Sequence, residues 1–514
     1  MQPLTKDEKY NIIKKICPNT TECISFGTQS DEIRELFDEF KIPSDLINKN
    51  EIKQIGEKSE NGIIYRLKYE IKKYNAYTIL KNAISKDADN LYYEAVVGWY
   101  INSKMIYYPC FVETYDLYKN TNPRDPDTNM MTDFKLDNLN PLFPEDTTTT
   151  PQQTKSLEEV ETDFYNKITE GEKLIETCKE SDTISLHIQY LENVSSLFET
   201  LIKNTNAFSH IYAYLYQVYA PLSMLSDEFT HYDLHTGNVL IYKVDPNKYT
   251  RMIYHYPDNT TVEFNTDGIA KIIDYGRCYF KYNDTINSKN FINKLDEKLN
   301  SYMLNSDDCG YTSFYEGFKV NYYIDSRNHN KSHDLRLVIG VNQIYDYYSQ
   351  HKKNKFNIEY EKEYGTPEVS QKTYTNKGDK IYNVNDMHAY LREMLNTAEF
   401  KKVNDALEKK RTLYGTIECW LDGSTPMIFT PAIPDESKKP GIFSRILRNP
   451  TKTTVTHMPS IPIPLQHLIK TPYLEKPQLQ NLTKSVGGKT KRNRKTKNKT
   501  QKKTKNNKNT KEKQ

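Results

Sequence analysis

The chain has 514 residues, 37% of them hydrophobic, and a formal net charge of +3. The charge is unevenly distributed, because residues 484–514 contain 14 Lys or Arg and one Glu, a net of +13 that leaves −10 for the rest. The sequence has no run of 18 apolar residues and no apolar N-terminal signal. We therefore expect a cytoplasmic protein that is neither secreted nor membrane-spanning.

Length and cysteine usage limit the architecture further. At about 150 residues per domain the chain has room for two or three domains. With 41 Tyr among the hydrophobic residues, the aliphatic core is thin, which predicts disordered segments beside a folded body. The seven cysteines are scattered and form no Cys-x-x-Cys pair, so we expect reduced thiols and neither a zinc module nor a disulfide framework.

The first third of the chain changes from helical to strand patterning. Residues 1–50 carry Ile and Leu at helical spacing and predict a helical N-terminal extension. Alternation then predicts a sheet over residues 51–118, interrupted by a helix that begins at Leu91 and carries Val97 and Ile101 on one face. The predicted strands are Ile52–Ile55, Gly62–Ile71, Ala76–Ala83 and Pro109–Tyr118.

The middle of the chain contains an insertion and a second folded region. Residues 119–182 are rich in Asp, Asn, Thr and Pro and predict an acidic, flexible insertion. Ordered structure is predicted to resume at residue 183 and to extend to 430. It starts with a strand at Ile184–Leu191 and continues with a buried helix at Phe208–Leu225, which Pro221 should kink.

Three polar residues next to two apolar strands form the most informative pattern. Asn238 follows Asp233 by five residues and precedes the predicted strand Val239–Tyr242, and Asp274 follows the predicted strand Ile269–Ile273. Asp233 would accept the proton of an attacking hydroxyl, and the oxygens of Asn238 and Asp274 are hard ligands for Mg²⁺. This is the grouping needed to transfer a phosphoryl group from a metal-bound nucleotide. An extra hairpin, Tyr249–Tyr256 with Thr261–Asn265, explains the 36 residues between Asn238 and Asp274.

These motifs carry a resemblance to a known family. The pattern His-x-Asp-Leu-x-x-x-Asn-Val-Leu from His231, followed by Ile-Asp-Tyr-Gly up to Gly276, resembles the catalytic and metal-binding loops of the protein-kinase-like superfamily. The likeness is to the kinase-like proteins of large DNA viruses, and it covers about residues 50–430. It implies an α+β, two-lobed fold with a mainly antiparallel β N-lobe and a helical C-lobe, which binds ATP and Mg²⁺. It also implies a location in the host cytoplasm or the virion.

The resemblance assigns roles to residues outside the two loops. Lys81, at the end of a strand, would hold the α- and β-phosphates, and Glu94 in the next helix would keep that lysine protonated. Lys68 is the rival for the lysine position. The turn between Gly56 and Gly62 would cover the phosphates as a degenerate Gly-rich loop, although a plain hairpin turn fits those residues equally well.

Three further positions follow from the same resemblance. His231 would brace the backbone before Asp274 as a neutral imidazole. His235 stands where protein kinases for Ser/Thr usually place a Lys that neutralises the transferring phosphoryl group, and it is similar to the residue that aminoglycoside and choline kinases use there. Asp334 would brace the catalytic loop, or it simply opens a helix.

The implied activity is an ATP-dependent kinase, first a protein kinase for Ser/Thr hydroxyls. Two features favour a small-molecule acceptor instead: His235, and the lack of Pro between Gly276 and Pro367 in the segment that shapes peptide binding in protein kinases. A pseudokinase scaffold is a further alternative. So is a metal hydrolase built on His231, Asp233 and His235, although such sites need additional ligands.

The C-terminal residues have the composition of a linker and a tail. Residues 431–483 are punctuated by Pro, which predicts a linker. Residues 484–514 predict a disordered basic tail. It would contact nucleic acid or another acidic surface, act as a nuclear signal, or serve only to solubilise the protein.

Overall fold

The computed structural model describes residues 4–17, 29–55, 62–83, 91–121, 136–141, 184–203, 205–243, 245, 247–300, 312–316, 321–353, 381 and 383–432. The chain divides into two units, Met1–Tyr473 and Leu474–Gln514, and every described residue belongs to the first. The predictions made for Gly56, for most of 119–182, for the linker after residue 432 and for the tail 484–514 lie outside the described residues.

The described chain is a mixed α+β fold, as predicted, with an antiparallel sheet and several helices. The helices are α1 (Lys6–Ile16), α2 (Gln29–Leu36), α3 (Leu91–Met105), α4 (Leu197–Lys203), α5 (Ile211–Met224), α6 (Ser288–Asn300), α7 (Arg336–Lys353), α8 (Val384–Leu395) and α9 (Ala398–Lys410). The first strands are β1 (Lys53–Ile55), β2 (Gly62–Ile71), β3 (Tyr74–Ala83), β4 (Thr114–Asn120), β5 (Leu139–Pro141), β6 (Ile184–Tyr190), β7 (Val194–Ser196) and β8 (Phe229–Thr230). The remaining strands are β9 (Val239–Tyr242), β10 (Lys248–His255), β11 (Thr261–Thr266), β12 (Ile269–Ile272), β13 (Tyr279–Phe280), β14 (Thr312–Glu316), β15 (Asn321–Asp325), β16 (Thr412–Trp420) and β17 (Ile428–Pro431).

A six-stranded antiparallel sheet in the order β1-β2-β3-β6-β4-β5 occupies the N-terminal half. Side chains alternate across it, because successive residues of a strand point to opposite faces. Leu67 and Tyr69 of β2 belong to the cluster that packs against α1 and α2. Thr5 and Glu8 form a capping box that starts α1. Helices α1 and α2 therefore cover one face of the sheet, which explains the alternation of apolar and polar residues along the strands.

Helix α3 is almost entirely buried and lies close to β4. Gly98 makes that approach possible, because a Cβ at this position would lie 2.1 Å from Thr114 Oγ1. The contact is one helical turn from Glu94, so the packing of Gly98 also fixes the position of the Glu94 side chain.

A three-stranded sheet, β12-β9-β7, carries the loop that ends at Asn238 and the loop that contains Asp274. Strands β9 and β12 are antiparallel, with Val239 opposite Ile272. The start of β9 and the end of β12 therefore lie together. Gln217 of α5 holds β12 from behind: its Oε1 accepts from the N–H of Ala270 at 3.0 Å, and its Nε2 donates to the carbonyl of Gly268 at 3.2 Å.

The region predicted as a helical lobe contains more strand than expected. The predicted hairpin is present as β10 and β11, which pair antiparallel. However, β16 adds to β10 in parallel and β17 pairs with β16, giving a four-stranded sheet. Strands β16 and β17 were not predicted from the sequence, although residues 412–420 bury alternate side chains as a strand does.

One smaller expectation is corrected by a long-range contact. The strand predicted at Pro109–Tyr118 begins only at Thr114, because Phe111 instead forms a parallel bridge to Ile272. The N–H of Ile272 donates to the carbonyl of Cys110 at 2.6 Å. The segment before β4 is thus bound to the strand that precedes Asp274.

The prediction of reduced thiols is wrong at one position. Cys17, at the end of α1, is disulfide-bonded, whereas Cys110, Cys278 and Cys419 are free and buried. Scattered spacing gives no sign of this bond, because the proximity of two thiols is set by the fold and not by their separation in sequence. Within the described residues, no helix is long and apolar enough to cross a membrane.

We predict that Gly98→Ala destabilises the protein by about 1–3 kcal/mol, because the added methyl overlaps Thr114. Urea denaturation measures the loss. Gly340→Ala in α7 is the control, since its Cβ would meet the Thr236 methyl at 3.3 Å. Both changes gain the same helix propensity. Equal stabilities of the two variants would contradict the proposed close packing of α3.

Candidate active site

One lysine joins a strand, a helix and a loop. Lys81, near the end of β3, donates from Nζ to Glu94 Oε2 of α3 at 2.8 Å and to Asp274 Oδ1 at 3.0 Å. The Glu94 side chain is only 3% exposed, so its charge requires a partner inside the protein. Lys81 supplies that partner and at the same time brings the sheet, α3 and the loop after β12 to one point.

The Asp274 carboxylate is held in its ionised form. The positive charge of Lys81 lowers the pKa of Asp274 below its ordinary value, and this outweighs the opposite effect of burial. Asp274 also has a positive φ of 71°, which is unusual for a residue with a Cβ. Strained backbone of this kind is concentrated at functional sites. The side chain is 38% exposed, so the ionised group remains accessible.

Lys68, the rival for the lysine position, lies elsewhere. Its Nζ contacts Glu70 on the same strand and Glu51 at 3.3 Å. These ion pairs raise the pKa of Lys68. Lys68 therefore contacts the edge of the sheet near β1, whereas Lys81 reaches Asp274.

The loop that contains Asp233 is fixed to the loop that contains Asp274. Asn238 Nδ2 donates to the backbone carbonyl of Asp233 at 3.0 Å, and the N–H of Ile273 donates to the carbonyl of Asn238 at 3.1 Å. Asp233, Asn238 and Asp274 are thereby placed at the same end of the β9–β12 pair. The side-chain oxygen of Asn238 is the atom that this arrangement leaves to act as a ligand.

His231 has the contact that the family resemblance implies. It is fully buried, and its Nε2 lies 2.9 Å from the carbonyl oxygen of Ile273, the residue before Asp274. Because a carbonyl only accepts hydrogen bonds, Nε2 carries the proton. Burial lowers the pKa of His231, so the ring is neutral and structural near pH 7.

His235 lies beside Asp233 at the mouth of the site. Its Nε2 is 4.0 Å from Asp233 Oδ1, and its Nδ1 accepts from the N–H of Gly237 at 3.0 Å. Burial lowers the pKa of His235, although the nearby charge of Asp233 acts in the opposite direction. A neutral His235 near pH 7 therefore does not supply the positive charge that a lysine would provide at this position.

Asp334 braces the loop from below. Its two carboxylate oxygens accept from the backbone N–H groups of His231 at 2.8 Å and of Tyr232 at 3.0 Å. Tyr232 has a positive φ of 63°, so the brace stabilises a conformation that a non-glycine residue seldom adopts. Asp334 itself lies in a short 3₁₀ helix, His333–Leu335, just before α7. Both interpretations of this residue, brace and helix start, describe its position.

Arg336 is a residue of the site that motif reasoning missed. Its Nη1 contacts Asp233 Oδ1. The available signal was its position two residues after Asp334, within a stretch already selected for its acidic residue. Nothing in the spacing indicates that the guanidinium reaches Asp233, because the two residues are 103 positions apart.

Position 62 requires glycine because of strand packing. Gly62 is the first residue of β2 and pairs with Ala83, and a Cβ there would lie 2.5 Å from the carbonyl oxygen of Asn82. Glycine is needed for the close approach of these strands. The turn before it, which includes Gly56, lies outside the described residues.

The oxygens of Asn238 and Asp274 fit a Mg²⁺ ion that is shared with a nucleotide. Protein sites of this kind supply one or two hard oxygen ligands, and phosphates and water complete the shell. The ionised Asp274, whose side chain is 38% exposed, and the side-chain oxygen of Asn238 would provide that donor set. In the described part of the chain, no group of three His, Cys, Asp or Glu is placed to hold a metal. The metal-hydrolase alternative needs such a group.

The sequence matches no protein-family model and no curated protein. The functional interpretation of the site therefore depends on the geometry of Lys81, Glu94, Asp233, Asn238 and Asp274.

The buried carboxyl of Asp334 predicts a pH effect on stability. Burial raises its pKa from 3.8 to about 7, so the folded state binds this proton more tightly than the unfolded state. The contribution of Asp334 to stability is then fully present below about pH 4 and is lost as the pH rises through 7. We expect the free energy of unfolding of the wild type, minus that of Asp334→Asn, to fall by up to about 4 kcal/mol over this range.

Urea denaturation of both proteins at a series of pH values from 4 to 8 measures this difference. Subtracting the two unfolding free energies cancels the contributions of the other titrating groups. Any effect of the lost hydrogen-bond acceptor that does not depend on pH remains as a constant offset. Parallel profiles of the two proteins would contradict the raised pKa of Asp334.

Proposed function

We propose that this chain is an ATP- and Mg²⁺-dependent phosphotransferase with a two-lobed, protein-kinase-like fold, acting on Ser/Thr hydroxyls of proteins. The observation that carries the proposal is the double contact of Lys81 with Glu94 at 2.8 Å and with Asp274 at 3.0 Å. These residues come from a strand, a helix and a loop separated by 13 and 193 positions. The residues that the family resemblance selects from the sequence thus converge at one point.

The sheet arrangement supports the same proposal. In the proposed fold, the six-stranded sheet with α3 is the N-lobe, and the region that begins with β7 is the other lobe. Lys81 stands on β3 of the sheet, whereas Asp233, Asn238 and Asp274 follow or precede strands β8, β9 and β12. The nucleotide would lie between these two groups of residues.

Each residue then has a distinct task. When bound, Mg²⁺ would neutralise charge on the β- and γ-phosphates. Lys81 binds the phosphates and is kept oriented by Glu94. Asp233 orients the acceptor hydroxyl and takes its proton, while Asn238 fixes the backbone of Asp233 through the 3.0 Å hydrogen bond. Catalysis in such a site is positioning and charge neutralisation.

The proposal of a protein Ser/Thr hydroxyl as the acceptor rests on the resemblance to viral protein kinases. A specific observation supports a small-molecule acceptor as the second candidate: a neutral His235, with Nε2 4.0 Å from Asp233, stands where protein kinases for Ser/Thr usually place a lysine. The same transfer assay distinguishes the two acceptors.

Asp233→Asn is expected to lower phosphoryl transfer by at least about 100-fold, because the amide cannot accept the hydroxyl proton. Affinity for Mg·ATP should stay near that of the wild type, since Asp233 acts on the acceptor. The assay is incubation with Mg·[γ-³²P]ATP, scored for label on the protein itself, on casein and on a panel of aminoglycosides and choline.

The exposed Asp422, replaced by Asn, is the matched control and should transfer at the wild-type rate. Equal turnover of wild type and Asp233→Asn would overturn the assignment of Asp233. Nucleotide binding without transfer to any acceptor in the wild type would favour a pseudokinase.

Asp274→Asn should instead weaken the Mg²⁺-dependent part of nucleotide binding by about 10-fold or more, because a charged ligand is replaced by a neutral one. Isothermal titration calorimetry with ATP, in Mg²⁺ and in EDTA, measures the effect. If wild type and variant bind ATP equally, and with the same affinity in EDTA, Asp274 does not hold a metal.

A further inference from the structure

Asp233 contacts a permanently charged side chain that comes from neither of the two loops. Arg336 Nη1 reaches Asp233 Oδ1 from the first turn of α7. The two side chains are 20% and 26% exposed, so the pair lies at the mouth of the site and is partly shielded from water. Partial burial of this kind strengthens an ion pair relative to one on an open surface.

The position of Arg336 is fixed by its neighbours. Asp334, two residues earlier, accepts from the backbone of His231 and Tyr232, and its own carbonyl accepts from Tyr219 Oη at 2.7 Å. Leu337, the next residue, is fully buried. The guanidinium and the loop of Asp233 are therefore attached to the same short segment, and the contact does not depend on a mobile side chain alone.

Phosphoryl transfer requires positive charge beside the phosphoryl group that is being transferred. Lys81 is bound to Glu94 and Asp274, and His235 is neutral near pH 7 because burial lowers its pKa. Arg336 is always protonated, and its planar fork suits both carboxylate and phosphoryl oxygens. It is thus well suited to carry the charge that His235 does not.

We infer that Arg336 is the cation that neutralises the transferring phosphoryl group and that it positions Asp233 for the acceptor. This inference rests on the proposed phosphotransferase function. Arg336 holds Oδ1 of Asp233, which leaves Oδ2 to accept the proton of the acceptor hydroxyl. The acceptor oxygen bonds to the γ-phosphorus, the bond to the bridging oxygen breaks, ADP leaves with the electron pair, and the hydroxyl proton passes to Asp233.

The test compares Arg336→Ala and Arg336→Lys with the wild type in the full chain, with Mg·ATP and casein as substrates. Arg336→Ala should lower kcat by about 100-fold, as the loss of one electrostatic stabiliser does elsewhere, with the KM for ATP nearly unchanged. Arg336→Lys should recover part of the rate, since it keeps the charge without the planar fork. Millimolar guanidinium should restore part of the activity of Arg336→Ala.

Arg327→Ala is the matched control. Arg327 also pairs with an aspartate, Asp325, at 3.1 Å, but the proposed phosphoryl transfer does not involve that pair. This variant should retain the wild-type kcat, and guanidinium should have no effect on it. Melting temperatures of all variants show whether each one is folded.

The outcomes separate this inference from the proposed function. Transfer by the wild type together with an unchanged kcat in Arg336→Ala would overturn the role of Arg336 and leave the phosphotransferase assignment intact. A folded but inactive Arg336→Ala that guanidinium does not rescue, with Arg336→Lys equally inactive, would also overturn the charge role. Absence of transfer by the wild type to every acceptor would remove both proposals.

Discussion

The ion pairs of Lys81 are the interaction on which the arrangement of the site depends. Glu94 is buried on a helix that is itself almost fully buried, so its charge has no access to bulk water. A carboxylate in that position is stable only with a positive partner. Removal of the Lys81 charge would leave the Glu94 charge buried and uncompensated. Because the same lysine also holds Asp274, the requirement for neutrality inside α3 determines where the loop after β12 lies.

A second network fixes the loop of Asp233 independently of Lys81. Asp334 holds the backbone of Tyr232, whose positive φ would otherwise be unfavourable, and His231 ties that loop to the carbonyl of Ile273. These contacts are to backbone atoms, so they set the path of the chain and leave the side chain of Asp233 available. The site is thus built from two hydrogen-bonded networks that meet through the β9–β12 pair.

The sequence predicted what is local, and it missed what depends on distant contacts. Alternation indicated the strand Gly62–Ile71, and motif spacing selected Asp233, Asn238 and Asp274, because neighbouring residues alone determine these patterns. The parallel pairing of residues 412–420 with β10 joins segments about 160 positions apart, and no local pattern specifies such a partner. The choice between Lys81 and Lys68, and the contact of Arg336, also required three-dimensional positions.

The charged side chains of the site are paired with one another. Lys81 faces Glu94 and Asp274, and Arg336 faces Asp233. A phosphate chain entering between them would compete with Asp274 for Lys81, while a divalent cation would compete with Lys81 for Asp274. Under the proposed function, the phosphates of ATP would replace Asp274 as the partner of Lys81, and Mg²⁺ would replace Lys81 as the partner of Asp274. Charges held in fixed positions would need little reorganisation when the proposed reaction begins. Under the proposed function, the pairing of Lys81 with Asp274 therefore prepares a nucleotide site and is more than a structural ion pair.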